Sequence, residues 1–279
     1  GEFNIAHLSA VYDYARYTDL GFGVELDESK IPNLKNVMSK MTNTLKAISK
    51  GTLSAVPYDL GQTGIAYNTD KISKEKAEKL GASLLYDKSL DGKLGSWGGD
   101  HITNMWYAAL HTGQDPNNIT DEKAVWAALK EQRGMIKKYW ASGSELMSLL
   151  GNGDIYATVA WSGRVGLLQK EGHPIGYLAP NGTYSWMEYM YVLKGTDLDV
   201  AQQLLNFMIE PEAAKAVAIG QGYPSSLDPT KVDMPDEIKK LPAYDPTGKL
   251  EGYKFADPAY WNGHQLDWAE KWDRVMAGK

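Results

Sequence analysis

Cysteine is absent from these 279 residues, which excludes disulfides, thiolate nucleophiles and cysteine-type zinc sites. No apolar run approaches the roughly 20 residues of a membrane span. Cationic residues are in deficit: 29 Lys and Arg against 35 Asp and Glu give a net charge of -6, without a basic stripe, which argues against a nucleic-acid partner. Phenylalanine is scarce, at 4, beside 9 Trp and 17 Tyr. Aromatics with a polar handle suit a surface dry on one side and wet on the other, so this bias is read as lining a ligand cleft rather than filling a closed core. Catalytic constellations are missing too. The five histidines are scattered, and the nearest pairing, His101 with His111, lacks zinc-ligand spacing. There is no Gly-x-Ser-x-Gly elbow, and Gly151-Asn152-Gly153 reads as a helix C-cap and turn rather than a phosphate loop. The expectation is a protein with no metal, no cofactor and no enzymatic activity.

What is present is enough to bury a sizeable core: 43% of the chain is hydrophobic, and its length suggests about two domains. Strand and helix patterns alternate, which predicts an α/β fold. Strands are expected over 3–6, 54–58 with 63–67, 155–161 and 189–193. Helices are expected over 10–19, 74–79, 103–111, 121–139, 145–150, 199–209, 211–219 and 266–276, with Thr120 as the N-cap of the long one. Residues 227–257, rich in Pro, Asp and Lys, read as loop with one short helix. No linker separates the domains, so the chain is expected to cross between them several times and to leave a cleft at their junction.

Two tracts place an aromatic beside a charge at a strand end or start: Ala160-Trp161-Ser162-Gly163-Arg164 and Ser185-Trp186-Met187-Glu188-Tyr189. Ser162 is a good N-cap for the helix that follows, and Arg164 then falls in its first turn, where a cation opposes the helix dipole unless an anion sits beside it.

These tracts, with Ala201-Gln202-Gln203-Leu204-Leu205-Asn206-Phe207-Met208-Ile209-Glu210-Pro211-Glu212-Ala213-Ala214-Lys215 and Gly222-Tyr223-Pro224-Ser225, resemble the bacterial extracellular solute-binding proteins of the spermidine/putrescine type. Phe3-Asn4-Ile5-Ala6-His7, Ala55-Val56-Pro57-Tyr58-Asp59-Leu60-Gly61 with Ile65-Ala66-Tyr67-Asn68, and Trp261-Asn262 agree in order and spacing. The resemblance implies a two-lobed periplasmic-binding-protein-like fold of type II, with a hinge between the lobes. One lobe would comprise 1–67 and 186–231, the other 68–185 and 232–279. It also implies an incomplete N-terminal lobe, because a strand-helix-strand unit upstream of Phe3 is missing; the expectation is that either another polypeptide segment completes that lobe or the lobe is compromised. The implied role is a periplasmic receptor that hands one small solute to the membrane permease of an ABC transporter.

For the site, the resemblance places Trp161, Trp186 and Tyr223 at aromatic positions, Glu188 where an acidic residue holds an amine, and Asp100 at a second acidic position, while Thr103 replaces a third. Ser9, Gln62, Thr63 and Asn262 fall on matching cleft loops as polar contacts. With Arg164 near the pocket mouth, the site is less anionic than a polyamine box. The first choice of ligand is therefore a short zwitterion such as γ-aminobutyrate, with its amine toward Glu188 and its acid toward Arg164; the alternative is putrescine or spermidine. An enzyme or a sugar-binding module on a two-lobed α/β scaffold is the alternative of another class. Plainer roles stay open for several of these residues. Trp161 can be core packing, Arg164 a partner of Glu188 or Asp100, Asp100 a helix N-cap, Tyr223 a turn residue, and His7 a loop hydrogen-bonder.

Overall fold

The computed structural model describes residues 3–278; Gly1, Glu2 and Lys279, which fall within the expected lobe ranges, lie outside the described residues. Along the chain run β1 (Ile5–Leu8), α1 (Val11–Asp19), α2 (Ser39–Ile48), β2 (Ala55–Asn68), α3 (Lys74–Leu80), β3 (Leu94–Trp97), α4 (Ile102–His111), α5 (Glu122–Met135), β4 (Ile136–Trp140) and α6 (Gly143–Gly151). There follow β5 (Ala157–Trp161), α7 (Ser162–Lys170), β6 (Ile175–Leu178), β7 (Tyr184–Val192), α8 (Leu198–Met208), α9 (Pro211–Gln221), α10 (Asp236–Lys239) and, after a two-residue strand, α11 (Pro258–Met276). The chain divides into two compact units. Unit 1 holds Gly1–Gly61, Ser185–Glu251 and Phe255–Asn262, and unit 2 holds Gln62–Tyr184, Gly252–Lys254 and Gly263–Lys279.

The division differs from the expected one chiefly at residues 232–251 and 255–262, which fall in unit 1, and at 62–67, which fall in unit 2. Residues 232–251 belong to unit 1, where Lys40 Nζ donates to the Leu250 carbonyl at 2.7 Å and Ile238 and Leu250 are buried. The strand pair or bent strand expected over 54–58 and 63–67 is one continuous strand, β2, buried along its whole length. It changes partners at the unit boundary. Leu60 N–H donates to the Pro224 carbonyl and Ser226 N–H to the Tyr58 carbonyl in unit 1, whereas residues 63–67 pair with β5 in unit 2. Each half therefore satisfies its own backbone, and no break is needed.

In unit 1, β7 lies between β1 and β2, antiparallel to β1 with Ile5 opposite Val192 and Leu8 opposite Tyr189. Tyr14 of α1 meets Tyr189 and Tyr191 edge-on at 5.6 and 5.5 Å, all three fully buried. Beside β1, Phe3, Ile5, Tyr17, Phe22 and Leu193 line an open apolar cavity of about 600 Å³.

In unit 2 the strand order is β2-β5-β3-β4, with β3 parallel to both its neighbours, and β6 antiparallel on the other side of β2. The β2–β6 pair is closed by two glycines. The Tyr177 ring covers Gly64 and the Tyr67 ring covers Gly176, where an added Cβ would lie 2.5 and 2.4 Å from the ring atoms. The helix expected over 121–139 stops at Met135, and Ile136–Trp140 pairs with β3 instead: tertiary pairing claims a run with two large aromatics and a β-branched residue. Its N-cap is Asp121, whose Oδ1 accepts from Ala124 N–H at 3.0 Å, one residue after the expected Thr120.

The aromatic bias is mostly core. Trp106, Trp140, Trp261, Trp268, Tyr14, Tyr107, Tyr189 and Tyr191 are fully buried, contrary to the cleft reading. Three of their handles find partners inside: Trp106 Nε1 donates to the Gly182 carbonyl at 2.8 Å, Trp140 Nε1 to Thr158 Oγ1 at 3.0 Å, and Tyr107 OH to the Thr63 carbonyl at 2.5 Å.

Candidate functional site

Each unit carries one cluster of the residues singled out in the sequence. In unit 1, β7 projects Trp186 and Glu188 to the same side, as alternate residues of a strand must. Trp186 meets Tyr223 edge-on at 5.0 Å, and both are largely buried. Tyr223 follows Gly222, whose φ of 77° ends α9 in the left-handed region that glycine adopts without strain.

Glu188 is the centre of a polar group. Tyr58 OH, from β2, donates to Glu188 Oε2 at 2.7 Å, and His7 Nε2, from β1, stands 3.2 Å from the same oxygen. Burial opposes ionisation of Glu188, but the hydrogen bonds from His7 and Tyr58 prevail and hold its carboxyl below the usual range. In return Glu188 raises the His7 imidazole, chiefly through the hydrogen bond and against the effect of burial. Asp59, next along β2, is 1% exposed, and no hydrogen-bond donor reaches either of its oxygens. Burial first, and the Glu188 charge second, push its pKa well above the usual carboxyl range, so Asp59 keeps its proton. The cluster of four titratable groups thus carries one carboxylate. Of the other expected contacts in this unit, Ser9 is exposed just after β1, and Asn262 of α11 donates to the Tyr12 carbonyl at 3.0 Å.

In unit 2, β3, β4 and β5 each end in tryptophan. Trp97 lies 4.7 Å from Trp140 and 5.2 Å from Trp161, and Trp140 meets Trp161 at 5.0 Å and 90°. The three strands run parallel, so the indoles gather at their carboxyl ends, the end at which open α/β sheets bind ligands. Trp140 is fully buried; Trp97 and Trp161 are partly exposed. Asp100 serves its own loop: Oδ2 accepts from Trp97 Nε1 at 2.9 Å, and Oδ1 from the N–H groups of Ile102 and Thr103 at 2.9 and 3.3 Å. The N-cap residue of α4 is His101, so Asp100 braces the loop one residue before the cap. Gly99 permits the arrangement, since a Cβ there would sit 1.9 Å from the Trp97 ring.

Ser162 does not cap α7. Trp161 is the N-cap residue, and the buried Ser162 hydroxyl accepts from Gln62 N–H at 3.3 Å, because β2 runs alongside at that point. Gln62 Nε2 donates to the Gly252 carbonyl at 3.4 Å, and Thr63 is the register partner of Trp161. Arg164, in the first turn of α7, lies over Gly143 at the start of α6, where any Cβ would come within 2.6 Å of its Nε. Gln62, Thr63, Trp161 and Arg164 therefore belong to one neighbourhood, with Asp100 beneath Trp97.

Five residues of these clusters lay outside the expected contacts: His7, Tyr58, Asp59, Trp97 and Trp140. The indoles had a legible signal, since each closes a short strand just before a helix-starting turn. Asp59 stood in a quoted tract, but its burial depends on β7, about 130 residues away, to which no local pattern points.

The profile of the bacterial extracellular solute-binding proteins matches residues 7–246. The spermidine/putrescine-binding periplasmic protein 1 of Haemophilus influenzae is 27% identical over 239 residues, 81% of this chain and 62% of its own length. The putrescine/agmatine-binding protein of Pseudomonas aeruginosa is 30% identical over 223 residues, 72% of this chain and 59% of its own length, so the chain spans about three fifths of these curated relatives. Among solved structures, the spermidine/putrescine ABC transporter substrate-binding protein of Streptococcus pneumoniae superposes with a TM-score of 0.78 at 21% identity, over 99% of this chain and 84% of that one, and shows the periplasmic-binding-protein fold. On the extent of the profile match, the chain belongs to the family of bacterial extracellular solute-binding proteins.

Proposed function

We propose that the protein is a solute receptor of an ABC transporter, working outside the cytoplasm, that captures a small amine and passes it to a membrane permease without chemical change. The observation that carries this reading is the ionised Glu188, held by Tyr58 and His7 on the same strand as the Trp186–Tyr223 wall. A carboxylate gives an ammonium a charge-assisted hydrogen bond, and indole and phenol rings cover its methylenes. The relatives named above bind spermidine, putrescine and agmatine by their names, which favours a polyamine, with putrescine first. A second reading, an ω-amino acid such as γ-aminobutyrate, rests on Arg164, a cation in the first turn of α7, three residues after Trp161.

Titration calorimetry with putrescine and γ-aminobutyrate, followed by mass analysis of the recovered ligand, tests both. Saturable binding of putrescine, unaltered on recovery, with Arg164→Ala neutral or tighter, supports the polyamine receptor. Preference for γ-aminobutyrate, lost in Arg164→Ala, moves the assignment to the zwitterion. Turnover of either compound, or binding of neither, overturns the amine receptor.

A further inference from the structure

The Glu188 cluster offers one negative charge to two claimants. His7 Nε2 already occupies Glu188 Oε2 at 3.2 Å, and Tyr58 OH takes the same oxygen at 2.7 Å. The groups facing His7 are Glu188 from β7 and, from β2, the Tyr58 ring at 6.0 Å with Asp59 behind it. Tyr58 is a neutral phenol, pushed up by burial and by its acidic neighbours. Asp59 sits 1% exposed with no donor on either oxygen, so the protein supplies nothing that would hold it as an anion. Were Asp59 ionised, the cluster could accommodate an imidazolium and a guest ammonium together. With Asp59 neutral it balances only one. The His7 side chain is 48% exposed and can lose its proton to solvent, whereas Glu188, at 19%, is deeper and fixed from two sides.

We propose that His7 is the internal counter-ion of Glu188 and that a guest ammonium takes its place by exchange for one proton. The inference rests on the amine-receptor reading and deepens it. The balance is simple: before binding, the Glu188 carboxylate faces imidazolium; afterwards it faces the guest's ammonium, His7 is neutral imidazole, and one proton has left for the buffer. Asp59 acts as the positioning residue, its neutrality keeping the cluster at a single charge so that the two cations compete. Because Glu188 raises the His7 pKa above its ordinary value, this competition reaches into the neutral range. Below the His7 pKa the affinity for a permanently charged amine falls by up to about tenfold per pH unit; above it the affinity levels off.

Calorimetry of putrescine binding in buffers of different ionisation enthalpy reads the proton count directly. The expected result for the wild-type chain is close to one proton released per putrescine at pH 6, declining toward none near pH 8.5. His7→Gln, at a half-exposed position where folding is checked by circular dichroism, is expected to bind without release and to be the tighter protein at pH 6. His7→Lys keeps a fixed cation on Glu188 and is expected to bind more weakly at every pH, also without release. Tight putrescine binding with no proton release in the wild type overturns the exchange and leaves the receptor reading standing. Undiminished release in His7→Gln does the same, moving the proton to another group. Binding of no amine at any pH overturns the receptor reading and the exchange with it.

Discussion

Around Glu188 in unit 1 the neighbours are polar, joined by hydrogen bonds above a buried carboxyl that no donor reaches; around Trp161 in unit 2 they are indoles in mutual ring contact, over a loop whose acid is wholly engaged. The two clusters have opposite energetic character. Burying apolar rings stabilises a fold, whereas burying an acid that must hold its proton costs stability at neutral pH. Function and stability are thus unequally shared. On the proposed function the acid group would bind its guest at some cost to the fold, while the indole group packs the strand ends of unit 2.

The strongest way to break this contrast lies in unit 2. Trp140 is fully buried between Trp97 and Trp161, and Trp140→Ala is expected to lower unfolding stability by about 3–5 kcal/mol, read from urea denaturation. A loss under 1 kcal/mol would show that the indoles are not structural. Next comes Glu188→Gln, which removes the carboxylate and keeps the shape. Putrescine binding is expected to weaken about ten- to a hundredfold, the equivalent of one charge-assisted hydrogen bond, while stability shifts by less than about 1 kcal/mol. Equal losses of binding and stability would erase the distinction between the units.

Asp59→Asn sharpens the comparison while leaving the Glu188 carboxylate in place. The folded-state pKa of Asp59 is raised, so the native chain holds a proton that the unfolded chain gives up, and this group's contribution weakens as pH rises from the ordinary aspartate range toward neutrality. Asparagine carries no such proton. The variant is expected to melt higher than wild type at pH 7, with the gap closing toward pH 4 in a pH series of thermal melts. A variant that melts lower at pH 7 would mean that Asp59 is ionised in the fold.

Long or strongly patterned segments were legible in the sequence. The runs that became β5, the second half of β7, α8 and α9 carry apolar residues in a regular pattern, and α9 is bounded by Glu210-Pro211 at its start and Gly222 at its end. Two short strands were not: β3 is four residues with a glycine and a serine, β6 is four with a glycine, and both exist because β2 and β5 offer paired edges. α2 was missed because its apolar residues are too few to stand out without knowledge of the surface they cover. At the site, Trp161, Trp186 and Glu188 could be picked out because each sits beside a strand end or a charge within its own tract. His7, Tyr58 and Asp59 are ordinary residues until β1, β2 and β7 bring them together, so their chemistry belongs to tertiary structure.

The three indoles of unit 2 have an optical consequence. Chromophores 4.7 to 5.2 Å apart at 47°, 58° and 90° couple strongly, so near-ultraviolet circular dichroism will carry a signature of that cluster, while its partly exposed members, Trp97 and Trp161, bring the same rings within reach of a solute's quenching. The protein carries its own spectroscopic gauge of unit 2, readable without any added label.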